Sequence, residues 1–280
     1  MIVQKHLNFK EPENLHFLGL ERLRNYDNFI ISLRISLNLN FFMGKNNYFQ
    51  FKQFIIRQEK SAMKVNTDGV LLGAWINLDG AKTVLDIGVG TGLISLMIAQ
   101  SSEAEITGIE IEKNAAEEAE QNVQNSKWCN RISIQHCSFQ DYVSTALNKF
   151  DIIVSNPPFF SNGVKNANPH LSMARHNHML PFFDIIDGTN KLLCENGRLS
   201  LILPSLPALE FIEKARQKNL FLNRLTEVKP FPDKEPNRCL MEFGNEQLIL
   251  QKTRISVFDV SRTNYSEEFK TLARDFYLKL

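Results

Sequence analysis

Thr83-Val84-Leu85-Asp86-Ile87-Gly88-Val89-Gly90-Thr91-Gly92-Leu93 is the stretch from which the rest of the chain can be read. Thr83–Ile87 has the character of a short buried strand, and Leu93–Gln100 that of a helix. Between them lie three glycines. Glycine lets the backbone turn sharply and lets a ligand approach the main chain closely. The helix start beyond offers free N–H groups. A dinucleotide fingerprint needs G-x-G-x-x-G. Here the third glycine comes one residue early and Leu93 takes its place, so that class of cofactor is disfavoured. A glycine turn without a ligand is the plainer alternative. The turn follows a strand in an alternating pattern, however, and ligands bind at such carboxyl ends.

Outward from this stretch, the alternation continues. Strands are expected at 105–110, 131–135, 150–155, 198–203, 222–228 and 240–251. Helices are expected at 113–125, 182–193, 208–218 and 265–278. A helix from Val70 to Trp75 is expected, capped by Thr67 or Asp68. Strands alternating with helices mean βαβ units and a mainly parallel sheet covered on both faces. The last two strands are joined only by the turn-rich segment Lys229–Pro236, which predicts an antiparallel hairpin at one sheet edge.

The 280 residues are 43% hydrophobic and 22% charged, with a formal net charge of +1. That composition excludes a disordered or collagen-like chain. The most apolar run, 29–42, is interrupted by Arg34, Asn38 and Asn40, so no membrane span is expected. Four scattered cysteines suggest a reduced, cytoplasmic protein. Residues 1–42 lack the strand–helix rhythm and are expected to be an extension, disordered or arising from a misassigned start. The domain proper is expected to span 43–280. The first 42 residues carry five of the 32 basic and four of the 31 acidic side chains, leaving 27 of each for the remainder.

Asp86 before the loop makes the pattern Asp-x-Gly-x-Gly-x-Gly, which resembles motif I of the class I methyltransferases that bind S-adenosylmethionine (SAM). Asp86, Gly88, Gly90 and Gly92 are the candidate cofactor residues there. Glu110 ends the next strand, where an acid accepts ribose hydroxyls in nucleotide-binding α/β folds. Glu112 is the rival, though it better suits a helix start. The strand Phe150–Ser155 runs into Asn156-Pro157-Pro158-Phe159. Two prolines stiffen the chain and remove N–H donors. This tetrapeptide resembles motif IV of methyltransferases that modify a planar nitrogen. An exocyclic amine is a poor nucleophile because its lone pair is delocalised. Acceptors at the Asn156 carboxamide and the Pro157 carbonyl can bind its two N–H groups and favour a pyramidal nitrogen, while Phe159 stacks on the planar group.

Ser138 and Phe139 follow the third strand, where relatives of this fold contact adenine. Many have Asp where this chain has Ser138, so a backbone N–H or Phe139 is an alternative, with Asp141 weaker. Lys64, Thr67 and Asp68 are expected near the methionine end of SAM, although helix capping explains Thr67 and Asp68 equally well. Arg175 and His176 are candidate contacts to a substrate phosphate, with a structural histidine as the alternative. Arg238 is a candidate RNA contact, with a solvated loop as the alternative. Nothing supports a metal site.

The string Arg57–Trp75 is distinctive. It combines with motif I, Asn156–Phe159, Ala174-Arg175-His176, Asn237–Phe243 and Phe276-Tyr277-Leu278. Together these are similar to the bacterial valine-tRNA (adenine-37-N6)-methyltransferase family over about residues 45–280. The resemblance implies a class I fold: a seven-stranded, mostly parallel sheet with helices on both faces and an antiparallel edge hairpin. It also implies a cytoplasmic, SAM-dependent monomer that methylates the exocyclic amine of adenine-37 in a valine tRNA, without metal or membrane. A loop adenine can be splayed into a pocket at low cost. A glutamine N5-methyltransferase acting on release factors shares Asn-Pro-Pro-aromatic but usually carries a separate helical domain. From another class, an RNA-binding adaptor with a relic SAM pocket is disfavoured by the intact tetrapeptide.

Overall fold

In the computed structural model, residues 47–157 and 180–280 are described. A hairpin comes first, β1 (Tyr48–Gln50) against β2 (Ile55–Arg57). Helix α1 (Thr67–Trp75) follows, then β3 (Thr83–Ile87), α2 (Leu93–Ser101), β4 (Glu105–Glu110), α3 (Lys113–Gln124) and β5 (Ile132–His136). Next come α4 (Phe139–Thr145), β6 (Phe150–Ser155), α5 (Phe182–Leu192), β7 (Leu193–Pro204), α6 (Ser205–Gln217) and β8 (Phe221–Lys229). The chain then forms β9 (Arg238–Gly244), β10 (Gln251–Ser256) and α7 (Glu267–Ala273).

Eight strands form one sheet in the order β10-β8-β9-β7-β6-β3-β4-β5. Neighbours from β7 to β5 are parallel. Strand β9 runs antiparallel to both β7 and β8. Both faces are covered, as the run of apolar residues within each strand requires. Leu85, Ile87 and Ile153 join one core cluster, while the alternate residues Val84, Ile152 and Val154, which point to the other face, are also fully buried.

The sheet has one strand more than the seven expected, and the hairpin is not at its edge. What reads as one long strand from 240 to 251 breaks at Gly244. The chain turns through a stretch where Asn223 Nδ2 donates to the Glu246 carbonyl and Asn223 Oδ1 accepts from the Leu248 N–H. It then returns as β10, parallel to β8. The apolar run Leu248–Leu250, which suggests continuity, is exposed. Gln251–Arg254 are exposed as well, as befits an outer strand.

Other differences are local, among them α4, a short helix where none is expected. Asn66 caps α1, its side chain accepting the Gly69 N–H at 2.8 Å, so Thr67 and Asp68 lie inside the first turn. The terminal helix is shorter than expected, because Phe276 and Tyr277 leave it to pack on the first hairpin. Phe51 bridges to Tyr277, and the Lys52 N–H donates to the Phe276 carbonyl at 2.7 Å.

Candidate active site

Register brings the motifs together. Ile87 at the end of β3 pairs with Ile109 on one side and with Ser155 on the other. Glu110 pairs with His136. The strands therefore end level, and whatever follows each one emerges at the same edge. From β3 the chain steps outward first to β4 and β5, and later to β6 on the opposite side. The crevice between β3 and β6 is thus a topological switch point.

The glycine loop is held by its neighbours. The Gly88 and Val89 N–H groups both donate to the Ile109 carbonyl, at 2.9 and 3.0 Å. Gly88, Gly90 and Gly92 have φ of +72°, +56° and +83°, values that side chains disfavour. Glu110 spends one oxygen on the Gly90 N–H at 2.9 Å and the other on the Glu112 N–H at 3.0 Å. A carboxylate oxygen has more than one lone pair, so Glu110 retains acceptor capacity. Glu112 caps α3 and accepts from the Asn114 and Ala115 N–H groups. Ser155 Oγ donates to the Ile87 carbonyl at 2.9 Å, which ties the end of β6 to the start of the loop.

These elements enclose a cavity of about 460 Å³, within the size range of small-molecule sites. Its walls include Gly88, Gly90, Glu110, Phe139, Asn156 and Pro157, so six sequence-derived candidates converge there. A Cβ built on Gly88 would meet no atom within 4 Å, so the space over the loop is open to a ligand. A carboxylate with spare lone pairs, open space over the glycine loop and apolar walls fit a nucleoside whose ribose hydroxyls donate to that carboxylate.

Other candidates lie elsewhere. Asp86 is 1% exposed and outside the cavity wall; Ser95 Oγ donates to it at 2.7 Å. Burial pushes its pKa up to about 7, and the Glu110 charge adds to the rise, against the hydrogen bonds from Ser95. Gly92 caps α2 rather than lining the wall. Ser138 caps α4, accepting the Asp141 N–H at 3.0 Å and donating its hydroxyl to the Asp141 carboxylate at 2.6 Å. Its neighbours Cys137, Phe139 and Gln140 line the cavity instead. Lys64 Nζ donates to the Gln58 carbonyl, and Thr67 belongs to the first turn of α1. The wall nearest to them is built by Ser61, Ala62 and Met63. Nothing in their side-chain chemistry marks these three; their position in the string before α1 was the only signal.

Arg238 Nε donates to Asp68 at 2.8 Å, and its Nη1 to the Asn237 carbonyl. Phe159, Arg175 and His176 lie outside the described residues. A Cβ on Gly69 would sit 3.0 Å from Leu93 Cδ2, tighter than ordinary packing, and at an ordinary contact distance of 3.8 Å from Asn156 Nδ2. Gly69 therefore lets the first turn of α1 pack closely on Leu93 beside the carboxamide. Among the described residues, no group of three or more His, Cys, Asp or Glu could hold a metal, and no helix is long and apolar enough to cross a membrane.

Comparisons with known proteins agree with this arrangement. The family described as methyltransferase small domain matches residues 61–215. A tRNA1(Val) (adenine(37)-N6)-methyltransferase of Trichodesmium erythraeum is 44% identical over 236 residues, covering 83% of this chain and 98% of that one. A protein of the same name from Christiangramia forsetii is 43% identical over 242 residues, covering 84% and 99%. Among solved structures, a protein of Agrobacterium tumefaciens described as a predicted O-methyltransferase superposes with a TM-score of 0.60 at 20% identity, covering 75% of this chain and 96% of that one. That likeness speaks for the fold alone. With the level strand ends, the open glycine loop and relatives matched over nearly their whole length, the chain belongs to the tRNA1(Val) (adenine(37)-N6)-methyltransferase family.

Proposed function

We propose that the cavity binds SAM and that the enzyme methylates the exocyclic N6 of adenine-37 in the anticodon loop of a valine tRNA. The observation that carries this reading is the convergence of Asn156-Pro157 with the glycine loop and Glu110 on one cavity. Gly88 and Gly90 give the cofactor close access to the main chain, and Glu110 accepts hydrogen bonds from its ribose. Phe139 supplies an apolar face for its adenine. When bound, SAM supplies an electrophilic methyl group.

The chain's own part in the reaction is positioning. The Asn156 carboxamide oxygen and the Pro157 carbonyl accept the two N–H groups of the target amine. This localises the nitrogen lone pair and aims it along the transfer axis. No strong base is needed, because the amine proton becomes acidic once nitrogen carries positive charge. Phe159, by its place in the tetrapeptide, stacks on the adenine. Arg175 and His176 are assigned to the RNA backbone. Arg238 is assigned there as well, through the face it leaves beside Asp68. Residues 43–280 are proposed as the catalytic unit, working as a cytoplasmic monomer. With 27 basic and 27 acidic side chains in that unit, tRNA is held by a local patch and by loop shape, with strong salt dependence.

The test is a methyl-transfer assay on tRNA from a strain lacking this gene, followed by nucleoside analysis. N6-methyladenosine should appear with the wild type. It should fall about 100- to 1000-fold with Asn156→Ala, comparable to the loss of one preorganised hydrogen-bonding group in other enzymes. No N6-methyladenosine from the wild type would sink the reading.

A further inference from the structure

The segment between β2 and α1 has no regular structure, yet the amides of its first four residues are all held. The Arg57 N–H donates to Asn122 Oδ1 at 2.8 Å, and Asn122 Nδ2 returns a bond to the Arg57 carbonyl at 2.8 Å. The Glu59 and Lys60 N–H groups both donate to Glu118 Oε1, at 2.5 and 2.8 Å. The Ser61 N–H donates to Glu118 Oε2 at 2.8 Å. Gln58 Oε1 accepts the Val65 N–H at 2.8 Å. Three consecutive amides thus converge on one carboxylate nearly 60 residues away. The last of these residues, Ser61, forms a wall of the cavity together with the next two, Ala62 and Met63.

Glu118 is 2% exposed, and among the described residues it makes no salt bridge. A buried carboxylate with no cation is costly unless hydrogen bonds replace its water. Burial pushes its pKa up, but the three amides and the Ser61 side chain outweigh that and bring it below the ordinary value. The group therefore stays ionised at neutral pH. Its spacing on α3 adds a second observation. Asn122 lies one turn further on the same buried face, and its Nδ2 also donates to the Thr91 carbonyl in the glycine loop at 2.8 Å. Glu112 and Ala115, at the start of the same helix, line the cavity directly. One helix therefore holds both the glycine loop and the segment that leads into the Ser61–Met63 wall.

We propose that Glu118 is a positioning residue of the cofactor site, shaping the Ser61–Met63 wall through the amides of residues 59–61 without touching the ligand. This rests on the reading of the cavity as a SAM site. It predicts that loss of the carboxylate loosens the wall and weakens SAM binding while leaving the transfer geometry at Asn156 largely intact. Glu118→Gln is the informative change, since it removes the charge and turns an NH2 group toward backbone N–H groups.

Calorimetric titration with SAM should show Kd raised about 10- to 100-fold, the range expected for loss of charged hydrogen bonds. KM for SAM should rise by a similar factor, with a smaller fall in kcat at saturating SAM. A residue that served only overall stability would lower the melting temperature without this split. Amide exchange at residues 59–61 should be slow in the wild type, slower still with SAM, and fast in Glu118→Gln. Unchanged Kd and KM in the variant would overturn the proposal. If the variant fails to fold, wild-type exchange decides: protected amides at 59–61 that tighten with SAM support it, and unprotected ones overturn it. A wild type that binds no SAM would sink the reading of the cavity itself.

Discussion

Two walls of one cavity are built on opposite principles. The glycine loop at 88–92 carries its shape in its own residues. Three glycines take positive φ, and the loop's N–H groups bond to the strand beside it. The wall at 61–63 has no such local code. The chain on either side of it is fixed by Glu118 of α3, which holds the Glu59 and Ser61 amides, and by Gln58, which accepts from Val65. A loop encoded locally can be recognised in isolation. A loop held by a distant helix is irregular until that helix is docked, and its order then depends on buried polar groups that tolerate little change.

The largest effect that separates the two walls should come from Gly88→Val. At φ +72°, a β-branched residue costs about 1–3 kcal/mol of strain, and its side chain would enter the open space over the loop. SAM affinity should fall about 100-fold by titration, with the exchange pattern of residues 59–61 unchanged in the absence of ligand. A change in that pattern would mean the walls are not independent.

Asn122→Ala tests the opposite, since Asn122 bonds both the glycine loop at Thr91 and Arg57, at the head of the segment that leads to the second wall. It leaves buried partners at Arg57 and Thr91 unsatisfied, at a cost of about 2–3 kcal/mol. The melting temperature should drop by roughly 4–12 °C for a domain of this size. Exchange should accelerate in both the glycine loop and the 57–61 segment. Acceleration in only one of them would break the idea of a shared support.

The last effect is a slope in pH and concerns the base of the glycine loop. Asp86 is raised from an ordinary 3.8 to about 7 by burial. Between about pH 4 and pH 7 the folded state therefore binds more protons than the unfolded one. The stability linked to Asp86 is complete below about pH 4, declines as pH rises toward 7, and is flat above that. Denaturant unfolding without cofactor should show this decline in the wild type and a shallower one in Asp86→Asn. An identical slope in both proteins would show that Asp86 is not protonated in the fold.

The division between the walls also explains what could be read from the chain. Strands Thr83–Ile87, Glu105–Glu110 and Phe150–Ser155 were legible to the residue, because fully buried parallel strands are unbroken apolar runs ended by turn or polar residues. Strand β10 was not, because an outer strand with four exposed residues has no apolar pattern to detect. Gly88, Gly90 and Glu110 were legible from spacing. Ser138 is expected as a cofactor contact with Phe139 or a backbone N–H as the alternative, but a serine ahead of a helix serves equally as a cap, and its hydroxyl is engaged with Asp141. The Arg238–Asp68 pair joins residues 170 apart, which no local pattern discloses.

The sequence by itself determined the central alternation of strands and helices, the turn that needs glycine, and the stiff Asn-Pro-Pro-Phe segment. These follow from period, φ preference and ring closure, all properties of a few neighbouring residues. Only the tertiary structure decided which strand ends stand level, which side chains cap and which face the cavity, and that Glu118 and Asn122 secure a wall some 60 residues away. Such choices depend on where buried N–H groups find their acceptors. That is settled by the packing of the whole sheet and its helices, not by any segment alone.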